Sequence, residues 1–463
     1  MTTIANSPPG TNKVRRRVHK CKPALGHQLQ KAGRRIHRPS PSRFRVKADD
    51  QTATGVAGLA EFAQFARDCH VDKGLRDAFG SVKDHHLTVY PMDSVLRMLI
   101  DVNVAGEGRV FGLEALAADP LFIELAGGSV PSLDVVYDDL CRLDDDHIRH
   151  LETMMAAFGL AELQALRPTE LDVDIDTTVE PLFGQQENAL PGPNPRYHGR
   201  PSFHPILAFC PQVQSVVGAL LRPGNTGFGR EEIPTVIRWL QRVRQSVGPD
   251  CLVRVRIDSA AAFPDFLDAL DREGVFFSIK ARMDRKLVAK ISACRRWTTV
   301  DVDDLGRPTL QYATVSRQGA YRVVAVRSSE RYTGGQLALW DDLDLTVQAY
   351  VTNDRDNPGD VIQRHYDGRA EVEPIIGELK YGWAIGKVPS KVFSANHVLF
   401  LIKLMSFNLF RAFTRWSQNR VPPRWRTPWC RRALICRPGH ITRGPGRTWV
   451  VHVNPPADAR VPP

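Results

Sequence analysis

LDVDIDTT, residues Leu171 to Thr178, alternates apolar Leu171, Val173 and Ile175 with acidic Asp172, Asp174 and Asp176. A period of two marks a β-strand, because successive side chains leave a strand on opposite faces. One face of this strand is therefore aliphatic and the other carries three carboxylates. An aliphatic face has to be covered, and the elements on either side of the strand indicate how.

Downstream, strands are predicted at 204–210 and 213–221, followed by a long helix at about 230–247. CLVRVRIDS runs from Cys251 as another strand and ends at Asp258; a helix near 263–273 and the strand VFFSIKA near 275–281 follow. Three strands, then helix, strand, helix, strand is the order of a ribonuclease H-like α/β core. A region rich in short strand patterns, about 285–352, interrupts it, and an apolar helix at 394–416 closes it. Upstream the period is helical: Leu59, Phe62, Phe65, Ala66 and Cys69 recur at helix spacing, with further helices at 92–105, 109–126, 132–143 and 145–160. Asp134 and Asp144 are expected to cap helices in that run. The expected fold class is α/β, a ribonuclease H-like core over 166–416 with a β-rich insertion, preceded by an all-α domain over 51–165.

The ends of the chain have a different composition. Of 62 basic residues, thirteen fall in residues 1–48 with no acid among them, and residues 411–463 hold eleven arginines against Asp458 alone. The body between is net acidic. Basic ends around a carboxylate-rich centre suit a protein that grips a polyanion and performs chemistry on it. Residues 1–50, mixed with Pro and Ser, are expected to be a disordered basic tail, and 417–463 a second basic tail. No apolar run reaches bilayer length; Val398 to Phe410 is the best and is broken by Lys403 and Asn408. The N-terminus has no apolar h-region. A soluble, intracellular protein with no membrane partner is expected.

A second stretch carries charge in a pattern: YDGRAEVEPIIGELK, Tyr366 to Lys380. On one helix, Tyr366, Arg369, Glu373 and Lys380 would fall within a sector of roughly 60°. Pro374 directly follows Glu373, so the stripe holds only if the helix starts close to Glu373 or runs on with a kink.

Asp176 and Asp258 each lie where a strand gives way to a turn, which is where sites gather in open α/β sheets. With Glu373 they make three carboxylates able to meet. Such a set repels itself unless divalent cations neutralise it. Two Mg²⁺ ions, with Mn²⁺ as a substitute, could activate a water or 3′-hydroxyl and stabilise the leaving oxygen of a phosphoryl transfer. Asp174, on the same strand face, is an alternative ligand to Asp176. A cap of the following helix in DSAAAF is the lesser, alternative reading of Asp258.

The Tyr-x2-Arg-x3-Glu-x6-Lys spacing resembles the Tyr-Arg-Glu-Lys signature of insertion-sequence DDE transposases. DIDTTVEPLFGQQE is similar to the first-aspartate segment of the insertion-sequence thirteen-eighty family, within the insertion-sequence-four-like group, and RIDS at Arg256 to its second-aspartate strand end, although Ala stands where a Gly is more usual. The likeness covers about residues 55–416. It implies that Asp176, Asp258 and Glu373 are the DDE triad and metal ligands, that 285–352 is the group's β insertion, and that Tyr366, Arg369 and Lys380 hold phosphates near the scissile bond. It further implies Mg-dependent cut-and-paste transposition, with a hairpin at the element end.

The expected function is a DDE transposase that binds terminal inverted repeats in double-stranded DNA, cuts them and joins the freed 3′-hydroxyls to target DNA. It would act as a homodimer assembled on DNA, in the bacterial cytoplasm at the nucleoid. The alternative is a catalytically decayed DNA-binding protein derived from a transposase. Trp297, Trp416, Arg196, His198 and Arg200 could touch DNA, although single tryptophans more often belong to the core. Cys430, Cys436, His440 and His452 have poor spacing for zinc. No P-loop supports an ATP requirement.

Overall fold

The computed structural model describes residues 50–192, 198–329, 345–417, 421 and 426–453. The first basic segment (1–49, with Cys21), Arg196 and residues 454–463 lie outside the described residues.

The chain enters through α1 (Leu59–Asp68), α2 (Val71–Phe79) and α3 (Met92–Ala105). The expected helix at 109–126 is two short ones, α4 (Gly112–Leu116) and α5 (Pro120–Leu125). Asp119 divides them: its carboxylate accepts from the Leu121 and Phe122 N–H groups, and Pro120 fits the first helical position, where no donor is needed. In α6 (Leu133–Leu140) the cap is Ser132 and not Asp134, which sits one residue inside the first turn. Asp144 does cap α7 (Asp145–Leu166), in a reciprocal capping box with His147.

The strand read from LDVDIDTT is β1 (Glu170–Thr177), followed by β2 (Ile206–Cys210) and β3 (Ser215–Leu220). Then come α8 (Ile233–Val247), β4 (Leu252–Ile257), α9 (Pro264–Arg272) and β5 (Phe276–Lys280). Helix α10 (Arg285–Ala293) leads into β6 (Thr298–Val302), β7 (Pro308–Gln318), β8 (Tyr321–Ser329) and β9 (Leu345–Thr352). All nine strands form one mixed sheet, ordered β6-β7-β8-β9-β5-β4-β1-β2-β3. Its centre, β1, β4 and β5, is parallel, and the flanks are antiparallel. The strands of 285–352 thus extend the central sheet, joined where Tyr350, Val351 and Thr352 pair with Lys280, Ile279 and Ser278. Leu171, Val173 and Ile175 are fully buried, each removing about 1.5–3 kcal/mol worth of apolar surface from water.

After the sheet come α11 (Gly359–Asp367), α12 (Val372–Gly382) and α13 (Phe393–Trp416). By length and composition α13 could cross a bilayer, yet 89 % of its most apolar window is buried inside the protein. Interior polar groups of this helix bond to its neighbours. Asn408 accepts from Val216 N–H at 2.9 Å and donates to the Met155 and Val216 carbonyls at 2.8 Å. The helices of 59–166 share one hydrophobic core with α13, and that core also reaches Phe209 and Val216 of the sheet.

The segment after 416 was expected as a tail, but it includes α14 (Thr427–Leu434) and a hairpin of Gly439–Arg443 with Trp449–Val453, to which Ala53 and Thr54 add a short strand. Arg431 is buried, donating to Asn103 O at 2.9 Å, Val104 O at 3.2 Å and Gly382 O at 2.6 Å while its guanidinium lies 4.1 Å from the Trp383 ring centre. That cation ties the C-terminal ends of α3 and α12 together, where helix carbonyls lack internal partners.

Candidate active site

Register places the two aspartates. Ile175 of β1 pairs with Ile257 of β4, and Ile257 with Ile279 of β5. The next residue on each parallel strand, Asp176, Asp258 and Lys280, therefore stands in one row at the C-terminal edge, the usual place for a site in such a sheet. Asp258 is also a cap, accepting from Ala260 N–H at 3.0 Å; this uses one carboxylate oxygen, so both readings of the residue are compatible. Asp176 accepts from Thr177 N–H at 3.0 Å and from Arg369 Nη2 at 2.5 Å.

Of the two alternatives that Pro374 leaves for 366–380, the structure has the helix that starts close to Glu373. Helix α11 ends at Asp367, a tight 3₁₀ turn spans Gly368–Glu371, and α12 starts at Val372. Pro374 falls in the first turn of α12, where its missing N–H costs nothing. The break separates the four residues of the stripe. Tyr366 is buried, with its ring 5.1 Å from that of Tyr350. Arg369 lies in the turn and reaches Asp176. Glu373 is exposed on the first turn of α12. Lys380, on the last turn, donates to Val179 O at 3.1 Å and pairs with Glu180 at 3.2 Å.

The three carboxylates are electrostatic neighbours. Burial raises the Asp176 pKa, the charges of Asp258 and Glu373 raise it further, and Arg369 and the Thr177 N–H oppose them; the net result is a carboxyl pushed up to about 6. Tyr366 belongs to the same field: burial and the charges of Asp258 and Asp176 outweigh Arg369 and push its phenol up to about 12. Among the described residues, no three His, Cys, Asp or Glu side chains stand close enough together to hold a metal ion. In this arrangement the Arg369 guanidinium supplies the positive charge against Asp176.

Beneath the row lies a layer that sequence reading did not identify. Asp174 is fully buried, and Arg256 forks it with Nε on Oδ1 at 2.5 Å and Nη2 on Oδ2 at 2.9 Å. Both its oxygens are committed, which leaves Asp176 as the strand's candidate ligand. Arg256 Nη1 also donates to His365 O at 3.1 Å. His365 bridges the sheet, with Nδ1 2.9 Å from Ser278 Oγ and Nε2 3.0 Å from Asp172 Oδ1. Burial alone would raise Asp172, but the His365 bond and the guanidiniums of Arg256 and Arg254 outweigh it and hold its carboxyl well below the usual range. A Cβ on Gly368 would lie 2.3 Å from Arg256 Nη1, so glycine there makes room for the guanidinium. This layer locks α11 and the 3₁₀ turn onto the three parallel strands and so aims Arg369 at Asp176.

A second buried group backs Lys380. Glu180 is buried, and a Cβ on Gly386 would lie 1.9 Å from its Oε2. Lys403, inside α13, donates to Ala384 O at 2.7 Å and Lys387 O at 2.8 Å, and burial brings its pKa down to about 7 against the pull of Glu180. The other sequence candidates lie elsewhere or are engaged. Trp297 donates to Cys294 O at 3.0 Å and carries the Arg327 guanidinium 4.2 Å from its ring centre. Trp416 packs on Phe65 and Phe413. Arg200 lies over the exposed Phe183 ring at 4.4 Å, and His198 is exposed. His440 and His452 stack on one another across the C-terminal hairpin.

A family model described as Transposase DDE domain group 1 matches residues 38–436. No curated protein matches the chain. Among solved structures, a similar one is the cryo-EM structure of the piggyBac transposase synaptic complex with hairpin DNA; the two share 10 % identity over 81 % of this chain and 79 % of that one, with a TM-score of 0.44.

Proposed function

This chain belongs to the transposase DDE domain family, group 1, and from that membership we propose that it cuts and rejoins DNA through Asp176, Asp258 and Glu373. The observation that carries the assignment is the strand register: Asp176 and Asp258 end neighbouring parallel strands side by side, and the turn that leads into Glu373 and its helix sends Arg369 onto Asp176. The finer reading is cut-and-paste movement of an insertion sequence of the thirteen-eighty family. The DIDTTVEPLFGQQE, RIDS and Tyr366–Lys380 segments support it. The parallel centre of the sheet with its hairpin and helical crossovers supports a ribonuclease H-like core, with 285–352 as an insertion and 51–165 as a preceding helical domain.

Asp176, Asp258 and Glu373 offer carboxylate oxygens without imidazole or thiol, the donor type suited to Mg²⁺ or Mn²⁺, and in this structure they stand too far apart to close on an ion. Asp176, Asp258 and Glu373 would hold such ions, which when bound supply Lewis-acid activation of a water or 3′-hydroxyl and stabilise the leaving oxygen. The protein's own groups do the rest. Ionised Asp176 needs a counter-charge, and in this structure Arg369 provides it. Arg369, which in this structure pairs with Asp176, would be suited by its planar donors to fork phosphate oxygens beside the scissile bond. Lys380 adds a point charge at the far end of α12, and Tyr366 walls the site against Tyr350. Two element ends have to be processed, so a homodimer on DNA in the bacterial cytoplasm is the expected working form.

The test is incubation of the purified chain with duplex DNA carrying its element's terminal inverted repeats and Mg²⁺. Metal-dependent nicking at the repeat ends, followed by joining to target DNA, supports the proposal. Hydrolysis without joining would reduce the protein to a nuclease. Binding without cleavage would make it a decayed DNA-binding relic.

A further inference from the structure

The row at the C-terminal edge continues beyond the carboxylates. After Lys280 the chain leaves the sheet through Arg282 and enters α10, a short helix with two dissimilar faces. Leu287, Val288 and Ile291 turn inward, with Ile291 fully buried. Arg285, Lys286 and Lys290 are exposed on the opposite side, and Arg295 and Arg296 are exposed just past its end. Between residues 281 and 297 these six cations face a single acid, Asp284. That carboxylate is already used, accepting from Leu287 N–H at 2.8 Å as the helix cap.

Several arginines elsewhere in the fold are paired with acids: Arg230 with Asp265, Arg242 with Glu152, Arg254 with Glu170 and Arg415 with Glu162. Here, among the described residues, Arg282, Arg285, Lys286, Arg295 and Arg296 form no ion pair, and Lys290 donates only to Ser316 Oγ, at 2.6 Å. Holding so many like charges on one exposed face costs self-repulsion, which a polyanion would relieve. The patch begins two residues beyond Lys280, which shares a row with Asp176 and Asp258 at the C-terminal edge of the sheet, and its helix leans on β7, where Lys290 reaches Ser316.

We propose that the exposed face of α10 and the following Arg295–Arg296 form a phosphate track for double-stranded DNA, seating the duplex that flanks the cleaved bond. The inference rests on the DNA-processing function proposed above. Duplex is favoured over single strand because single-strand grooves combine charge with exposed stacking aromatics. The aromatic nearest in the chain, Trp297, is half-buried and already covered by Arg327.

The test compares the full-length protein with the triple variant Arg285→Ala, Lys286→Ala, Lys290→Ala, and with the charge-retaining variant Arg285→Lys, Lys286→Arg, Lys290→Arg. Each is titrated with duplex carrying the element's end over a range of salt, with melting temperature confirming the fold. Each phosphate contact contributes about 0.9 to the slope of log affinity against log salt. The alanine variant should therefore show a slope shallower by about 2 or more, at least tenfold weaker binding near 0.15 M salt, and loss of backbone protection next to the cleavage point. The charge-retaining variant should behave as wild type. If wild type cleaves and the alanine variant binds with unchanged affinity and slope, the track is refuted while the proposed function stands. Tighter binding of a single strand than of duplex by this face would also overturn it. Failure of wild type to bind or cut would remove both.

Discussion

Arg256 grips Asp174 through both carboxylate oxygens, across neighbouring parallel strands and out of reach of water. The pair is costly to desolvate, and breaking one side leaves the other buried alone. Arg256→Met should therefore destabilise the protein by about 3–5 kcal/mol. Asp174→Leu added to Arg256→Met should recover much of that loss, since an apolar pair removes both charges. Urea unfolding of the two variants measures the difference. Equal stability of the single and double variants would mean that Asp174 finds another partner.

Gly368 tests the same layer from the helix side. Its backbone is in the ordinary helical region, with φ near −58°, so alanine is not strained there. The only obstacle is Arg256 Nη1, 2.3 Å from the added Cβ. Gly368→Ala should cost about 1–3 kcal/mol and lower the cleavage rate, because Arg256 or the 3₁₀ turn has to shift and Arg369 shifts with it. Gly377→Ala is the control, since nothing lies within 4 Å of a Cβ there, and it should leave cleavage unchanged.

Lys403 makes stability depend on pH. Its folded pKa of about 7 lies below the ordinary lysine value of about 10.4. Between those values the unfolded chain binds more protons than the folded one, so the stability attributable to this residue rises with pH, by up to about 1.4 kcal/mol per pH unit. Below pH 7 both states are protonated and its pH dependence vanishes. Measured from pH 7 to 9, wild type should gain stability relative to Lys403→Met as pH rises. A constant difference would place the lysine pKa near its ordinary value.

Much of this architecture is visible in the chain itself. LDVDID and LVRVRID are complementary: in parallel register Asp172 stands opposite Arg254 and Asp174 opposite Arg256. The alternation in LDVDIDTT identifies the acidic face, but only the pairing of the two strands shows which aspartates are consumed by arginines and which one is left at the edge. Gly368 and Pro374 mark the break between α11 and α12, which helical periodicity alone runs through. Arg431 could not be read as structural, because it is buried only when the ends of α3 and α12, more than two hundred residues apart in sequence, meet beside α14. Charge composition alone makes such a residue look like part of a tail.

The most direct test of the central claim is end cleavage with Mg²⁺ by wild type, Asp176→Asn and Glu373→Gln, with binding to the same duplex measured in parallel. The account predicts that wild type cuts at the repeat ends, whereas both variants bind as tightly and cut at background levels. Cleavage that survives either substitution would contradict the assignment of these carboxylates to the chemistry.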